Sequence, residues 1–244
     1  MEKDTIKKIG EVLKVDTRPE LFARKFHLHP SVDERTATRW LAQCFKNVVE
    51  SRGRQVIWDV PTKKHVEEMG KWLVAAEGTE FGILLQGTCG NGKTTLMIAL
   101  QMLMAKLGDY GGTFSHMGMW FKPGMEIIHA KEIVRACVDD KNEYKRIREK
   151  DVLGIDDLGT ETAEVEQYRN IMAPMVDLLE YRYTKRKFTI ATTNLPVRPM
   201  KRKDQSLQEG SAYSLASHYG ERIADRMMEM FHRITYTNDS YRGS

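Results

Sequence analysis

Residues Gly87, Thr88, Cys89, Gly90, Asn91, Gly92, Lys93 and Thr94 read G-x-x-x-x-G-K-T, the spacing at which a backbone loop wraps a phosphate. Glycines stand at both ends of such a loop because its N–H groups must converge on the anion through conformations that a Cβ obstructs. The Lys93 ammonium can then reach β and γ phosphate oxygens as a point charge. The Thr94 hydroxyl can ligate Mg²⁺ at the positive end of the helix that Thr95 continues. The chemistry implied is binding of ATP together with Mg²⁺.

Two carboxylates, Asp156 and Asp157, close the apolar run Val152-Leu153-Gly154-Ile155. Alone, such a pair is most simply a solvated turn. At the end of a buried parallel strand it stands on the sheet edge that carries the phosphate loop. There Asp156 would hold Mg²⁺ through its water shell, and Asp157 would orient or deprotonate the attacking water. Asn194 ends the run 188–193 and can aim an amide at the γ-phosphate or at that water, although an Asn before Leu195-Pro196 is equally an ordinary strand exit. Arg222 and Arg226 lie four apart on one helical face, placed to reach a neighbouring subunit's nucleotide. An arginine supplied in trans stabilises charge on a transferring phosphoryl group. The plainer alternative pairs both with Glu221 and Asp225 on a solvated face.

Contact with single-stranded DNA rests on Lys141, Lys145, Arg146, Arg148 and Lys150 around Tyr144, a basic cluster with an aromatic inside it. The alternative is a solvated helix whose charge Glu143 and Glu149 balance. Arg182, Lys185, Arg186 and Lys187 form a second cluster with the same two readings. His27, His29 and His65 lack metal-ligand spacing, and Cys44, Cys89 and Cys137 form neither a C-x-x-C pair nor a disulfide framework.

These residues need elements to hold them. Strands are predicted over 81–86, 125–130, 152–155, 188–193 and 234–237, alternating with helices as in a parallel sheet covered on both faces. Residues 111–123 read as an added hairpin or loop, and 195–212 as a mobile loop. Pro174 fits the first turn of a helix running to Arg186 if Asn170 is its N-cap. Ahead of the sheet, three short helices are predicted from Ile6, Ile9, Val12 and Leu13; from Leu21, Phe22 and Phe26; and from Leu41, Cys44, Phe45, Val48 and Val49, the last ended by Gly53. Another helix starts at 59–61 with Val66, Met69, Trp72 and Leu73 inward. A boundary near 58 divides the chain into a helical region, 1–58, and an ATPase domain, 59–244.

The chain has 244 residues, is 41% hydrophobic and 30% charged, and carries a net charge of +4, enough for one α/β domain with an appendage and compatible with a nucleic-acid partner. Its first residues are charged and amphipathic rather than a signal peptide, and no apolar run approaches the roughly 20 residues that span a bilayer. A cytoplasmic protein without a membrane partner is expected.

The segments GTCGNGKT, VLGIDDLGTE, TIATTN and GERIADRM followed by NDSYR resemble, in order over residues 60–242, the DnaC/IstB group of AAA+ ATPases, bacterial helicase loaders and transposition helpers. The GER-x-x-DRM segment and the terminal DSYR are its narrow signatures. The resemblance implies an α/β AAA+ phosphate-loop core with a five-stranded parallel sheet and no C-terminal lid. It also implies an ATP-dependent homo-oligomer that engages single-stranded DNA and a replicative helicase or a transposase, with 1–58 as the partner-binding region. It puts the arginine finger at Arg226, with Arg222 as second choice. Asp157 is one methylene shorter than the Glu common in AAA+ proteins, which favours slow hydrolysis and keeps a nucleotide-gated adaptor in view. A small-molecule phosphotransferase would share the phosphate loop but leave Asn194 and the paired arginines unexplained.

Overall fold

Strands that are apolar on both sides must be covered on both sides. In the computed structural model, which describes residues 28, 31–75, 79–109, 114–116, 119–121, 124–167, 169–199 and 213–241, alternation sorts each strand between two hydrophobic clusters. Strand β1 (Gly82–Gly87) sends Ile83 and Leu85 to one and Leu84 to the other. The strands β5 (Val152–Asp156), β8 (Phe188–Thr193) and β9 (Phe231–Tyr236) divide likewise, with Val152, Ile190 and Ile234 on the first face and Ile155, Ala191 and Phe231 on the second.

With β4 (Met125–His129) they form a five-stranded parallel sheet in the order β4-β5-β8-β1-β9. The first described strand, β1, therefore lies inside the sheet between β8 and β9, and a crevice opens where the strand order reverses, at the carboxyl ends. Registers Gln86↔Thr193, Ile155↔Ala191 and His129↔Asp156 bring those ends level.

Helices α1 (Glu34–Glu50), α2 (Val60–Val74) and α3 (Lys93–Asp109) cover the first face. The second is covered by α4 (Ala130–Asp139), α5 (Lys141–Glu149), α6 (Pro174–Thr184), α7 (Leu215–Tyr219) and α8 (Glu221–Met230). Asp33 and Asp59 cap α1 and α2 by accepting from Thr36 N at 2.7 Å and Thr62 N at 2.8 Å.

The third predicted N-terminal helix is α1, but it starts earlier than its apolar pattern indicated. Its Ala37, Leu41, Cys44, Phe45 and Val48 are buried in the same cluster as Ile83 of β1 and Leu96 and Leu100 of α3. A division near 58 thus falls inside a shared core. The helices expected over 6–13 and 21–26 lie outside the described residues, as do 200–212 of the expected loop.

The hairpin expected within 111–123 is present as β2 (Phe114–His116) and β3 (Met119–Phe121). A second, β6 (Val165–Gln167) with β7 (Asn170–Met172), was not anticipated and overturns Asn170 as an N-cap. Asn170 pairs with Gln167 across a turn containing Arg169 at φ 65°, and α6 begins instead at Pro174, whose missing N–H is one of the unpaired donors of a first turn anyway. Strand β9 begins at Phe231 rather than 234, since His232 and Arg233 interrupt the apolar pattern. Among the described residues no helix is long and apolar enough to cross a membrane.

Arg182 is fully buried. Its guanidinium donates to Thr189 Oγ1 at 2.7 Å, Phe188 O at 2.5 Å, Lys150 O at 2.6 Å and Arg148 O at 3.2 Å, tying α6 to β8 and to the end of α5. Burial pulls its pKa down to about 9, which still leaves a cation at neutral pH. Two more members of the second basic cluster are engaged within the fold, Arg186 lying 4.5 Å over the Phe81 ring and Lys187 pairing with Asp151 at 2.8 Å, while Lys185 is exposed. Arg182→Ala should destabilise the fold by about 3 kcal/mol, since several acceptors lose their donor together, as urea denaturation would register.

Candidate nucleotide site

The loop between β1 and α3 runs against β9, and this approach explains its first glycine. Gly87 has φ +152°, and a Cβ there would meet Tyr236 O at 2.3 Å and Tyr236 Cβ at 2.7 Å. At the other end of the loop Lys93 opens α3 and is only 5% exposed. Its ammonium donates to Gly87 O at 2.7 Å, Thr88 O at 2.6 Å, Asn91 Oδ1 at 3.2 Å and Asn194 Oδ1 at 2.9 Å. The last bond crosses from the loop to the end of β8, so Asn194 stands at the site. The Asn194 amide nitrogen in turn donates to Cys89 Sγ at 3.2 Å.

One turn of chemistry lies beside it. Asp156 Oδ1 accepts from Thr94 Oγ1 at 2.9 Å and from Thr192 Oγ1 at 2.6 Å. The Thr192 hydroxyl also accepts from Asp157 N at 2.8 Å, so one buried side chain fixes both acids. Asp157 sits in the left-handed region at φ 56°, and its Oδ2 lies 3.6 Å from His129 Nε2. His129 Nδ1 accepts from Lys131 N at 3.2 Å, which leaves Nε2 to carry the proton facing Asp157 in the neutral ring. Thr192 falls in the TIATTN segment without a role of its own there, and His129 falls in none of the motif segments. Each is legible only as a polar residue at a strand end, and finding them needs the register.

A cavity of about 1110 Å³ is lined by Lys93, Thr94, Asp157 and Asn194. Its opposite wall was not foreseen: Phe45, Val49 and Arg52 from the end of α1, Ile57 from the following turn, and Tyr241. Tyr241 N donates to Gly90 O at 2.9 Å, and its hydroxyl donates to Asp59 Oδ2 at 2.7 Å, so the terminal DSYR segment joins the phosphate loop to the cap of α2. Of the other residues predicted for the phosphate loop, Cys89, Gly90, Asn91, Gly92 and Thr95 line the same cavity, whereas Gly87 and Thr88 do not.

Arg222 and Arg226 do not line it. Both pair with Glu180 of α6, at 3.3 and 2.5 Å, and Arg226 lies 5.3 Å from the Tyr183 ring centroid. Glu221 and Asp225, the partners considered for them, are instead taken by Arg198 from the segment after Asn194. Side-chain exposure is 74% for Arg222 and 25% for Arg226, which makes Arg222 the more accessible of the two.

The first basic cluster splits. Tyr144 is buried, its hydroxyl donating to Pro174 O at 2.6 Å, so it offers no ring for a base to stack on. Arg146 is engaged by Glu126 and Glu143 and holds the Glu126 carboxyl down to about 2, while Arg148 pairs with Asp177 at 3.3 Å. Lys141 and Lys145 are exposed. All three cysteines are free, and His65 is a core residue stacked 3.8 Å from Tyr236, its pKa lowered by burial.

No known family's sequence profile matches the chain, and no curated protein sequence matches it. Among solved structures, a DnaC helicase loader matches with a TM-score of 0.52 at 20% identity, over 79% of this chain and 98% of that one. A DnaI structure matches with a TM-score of 0.46 at 21% identity, over 68% of this chain and 74% of that one. AMPPCP-bound DnaA from Aquifex aeolicus matches with a TM-score of 0.46 at 16% identity, over 75% and 49%. The fold is like that of the DnaC helicase loader structure, an α/β phosphate-loop fold with a five-stranded parallel sheet, as the motifs implied.

If Thr192 orients both acids, Thr192→Val should leave nucleotide affinity within about twofold and lower ATP turnover by about tenfold. Parallel binding and steady-state assays would separate the two. An equal loss in both would mean that the substitution has disturbed the loop itself.

Proposed function

We propose that the protein is a Mg²⁺-dependent ATPase of the helicase-loader type, which assembles on single-stranded DNA and delivers or remodels a replicative helicase. The observation that carries this reading is the convergence of Lys93, Thr94, Asp156 and Asn194 on one sheet edge through direct hydrogen bonds. The DnaC likeness in fold supports the class. A transposition helper would use the same site on a different partner.

The donor set suits Mg²⁺. A threonine hydroxyl and one carboxylate, 2.9 Å apart, are hard oxygen ligands of the kind that leave room for phosphate and water. When bound, Mg²⁺ would neutralise charge shared between the β and γ phosphates. Lys93 would exchange loop carbonyls for phosphate oxygens, Asn194 would follow it to the γ end, and Asp157 would accept the proton of the attacking water.

A second reading, a nucleotide-gated adaptor with slow turnover, is favoured by one feature. Asp157 has a short side chain and faces His129 at 3.6 Å. Both readings need the Asp157 carboxylate for whatever hydrolysis occurs. Asp157→Asn should keep ATP binding and reduce turnover, and single-stranded DNA should stimulate the unmodified protein's turnover by severalfold. Turnover that depends on a small-molecule acceptor instead of DNA would overturn the assignment.

Arginine in trans is the remaining part of the proposal, since α8 keeps Arg222 and Arg226 out of their own cavity. Arg226→Ala or Arg222→Ala should bind ATP normally and hydrolyse it poorly. Mixed with Asp157→Asn, the finger variant should regain activity, because the mixed interface joins an intact acid to an intact arginine. Co-assembled mixtures that never exceed the sum of their parts would assign both arginines to the Glu180 pairing alone.

A further inference from the structure

Helix α1 ends in a fixed turn. Gly53 N donates to Glu50 O at 2.9 Å and Arg54 N to Val49 O at 3.4 Å, with Gly53 at φ +70°, the two bonds and left-handed glycine of a Schellman cap. Arg52 and Arg54 flank that glycine, so their backbone positions are set by the cap rather than by a loose connection. The helix behind them is set too, since its buried face shares the cluster that includes Leu96 and Leu100 of α3. Thus α1 and the phosphate-loop helix move as one packed unit, and the cap overhangs the start of α3.

The side chains complete the placement. Arg52 NH1 donates to Thr95 Oγ1 at 3.0 Å, leaving the other donors of its planar fork for a ligand. Both arginines line the cavity that Lys93 lines, whereas Asp157 is the single carboxylate among its described lining residues. Three cations facing one carboxylate make the cavity a site for a multiply charged anion. Among the described residues no carboxylate pairs with Arg52, unlike Arg222 and Arg226, whose charge Glu180 engages.

We propose that Arg52 is a second phosphate-binding cation of the nucleotide site, meeting the α-phosphate from the side opposite Lys93. The proposal rests on the nucleotide reading above. Asp157 and Asn194 mark the γ end, and Lys93, bonded to Asn194, spans from there towards the loop. Thr95 is one residue further along α3 than the Mg²⁺ ligand Thr94, and a helical step turns its side chain about 100° away from Asp156. A guanidinium held at Thr95 therefore reaches the part of the triphosphate that ADP and ATP have in common. Arg54, whose NH1 donates to Tyr241 O at 3.4 Å, lies on the side of the terminal segment and lines the outer wall.

The test is calorimetric titration of the full chain with ATP and with ADP, for the unmodified protein, Arg52→Gln and Arg52→Lys, with thermal unfolding as a folding control. Arg52→Gln should lose about tenfold in affinity for both nucleotides equally, the scale of a charge-assisted hydrogen bond. Arg52→Lys should recover part of it. A loss confined to ATP would put the guanidinium at the γ-phosphate and overturn the assignment, as would unchanged affinity for either nucleotide. An unmodified protein that binds neither nucleotide would instead remove the nucleotide reading, an outcome seen before any variant is made.

Discussion

A lysine ammonium that is nearly inaccessible to water must be solvated by protein, and the supply of acceptors for Lys93 constrains the molecule around it. Three of its four acceptors come from the phosphate loop itself, which has to curl back over the side chain and needs Gly87 to do so. The fourth, Asn194, directly follows β8, 101 residues from Lys93 by sequence, and is in reach only because β8 lies parallel to β1 with Gln86 opposite Thr193. A slip of one residue in that register would turn the side chains of β8 to the opposite faces, separating Asn194 from Lys93 and moving Ile190 from the first hydrophobic cluster into the space that Ala191 fills in the second. The same alternation of side chains that packs the sheet thus also solvates the cation.

Strand β8 is where the site is wired to the rest of the second face. Thr192 holds the two acids, Thr193 Oγ1 donates to Leu158 O at 2.8 Å in the loop after them, and Arg198 carries the connection on to Glu221 and Asp225 of α8. A further tie lies alongside. Glu161, 5% exposed, accepts from Gly159 N at 3.0 Å and from the Tyr219 hydroxyl at the end of α7. Buried carboxylates are tolerated only when hydrogen-bonded, and here the partners belong to the acid loop and the helix preceding Arg222. Polar contacts thus run from the acid loop to the end of α7, and from the segment after β8 to α8, the helix that carries the two arginines.

Much of this was legible in sequence because each strand carries its own marker. Apolar runs ended by Asp156-Asp157 and by Asn194 announce both a buried strand and the edge at which it stops, and G-x-x-x-x-G-K-T announces a loop between strand and helix. What escaped reading had no local signal. Tyr144 looks like an aromatic among exposed cations, yet it sits on the inward face of α5 with Ile147, and that face is set by α6, a partner remote in sequence. Arg182 reads as one of four basic neighbours, although it is the one that is fully buried, turned into the acceptors left at the ends of α5 and β8. Asn170 fits the composition of an N-cap, and the turn at Arg169 overrides it because a paired hairpin satisfies its backbone better than a longer helix interrupted near Pro174.

The places where local preference and structure disagree gather around the cavity. Asp157 adopts a left-handed backbone that costs a non-glycine residue about 1 kcal/mol, and Lys93 buries a charge. Each is retained by bonds that converge from separate elements: Asp157 N on Thr192, Leu158 N on Thr192 O at 2.8 Å, and the Lys93 ammonium on loop and strand together. Strain at one residue can be held only if its surroundings are rigid, and here they are the middle of a parallel sheet and the helix that follows it. On the α1 side the disagreement takes another form, since Arg52 is a cation without a carboxylate partner among the described residues at the rim of an already cationic cavity. A fold gains nothing from gathering like charges around a space of about 1110 Å³ unless an anion enters it. The buried lysine, the left-handed acid and the gathered cations are three departures from what a stable core requires, and the triphosphate proposed for the cavity would give all three a physical reason.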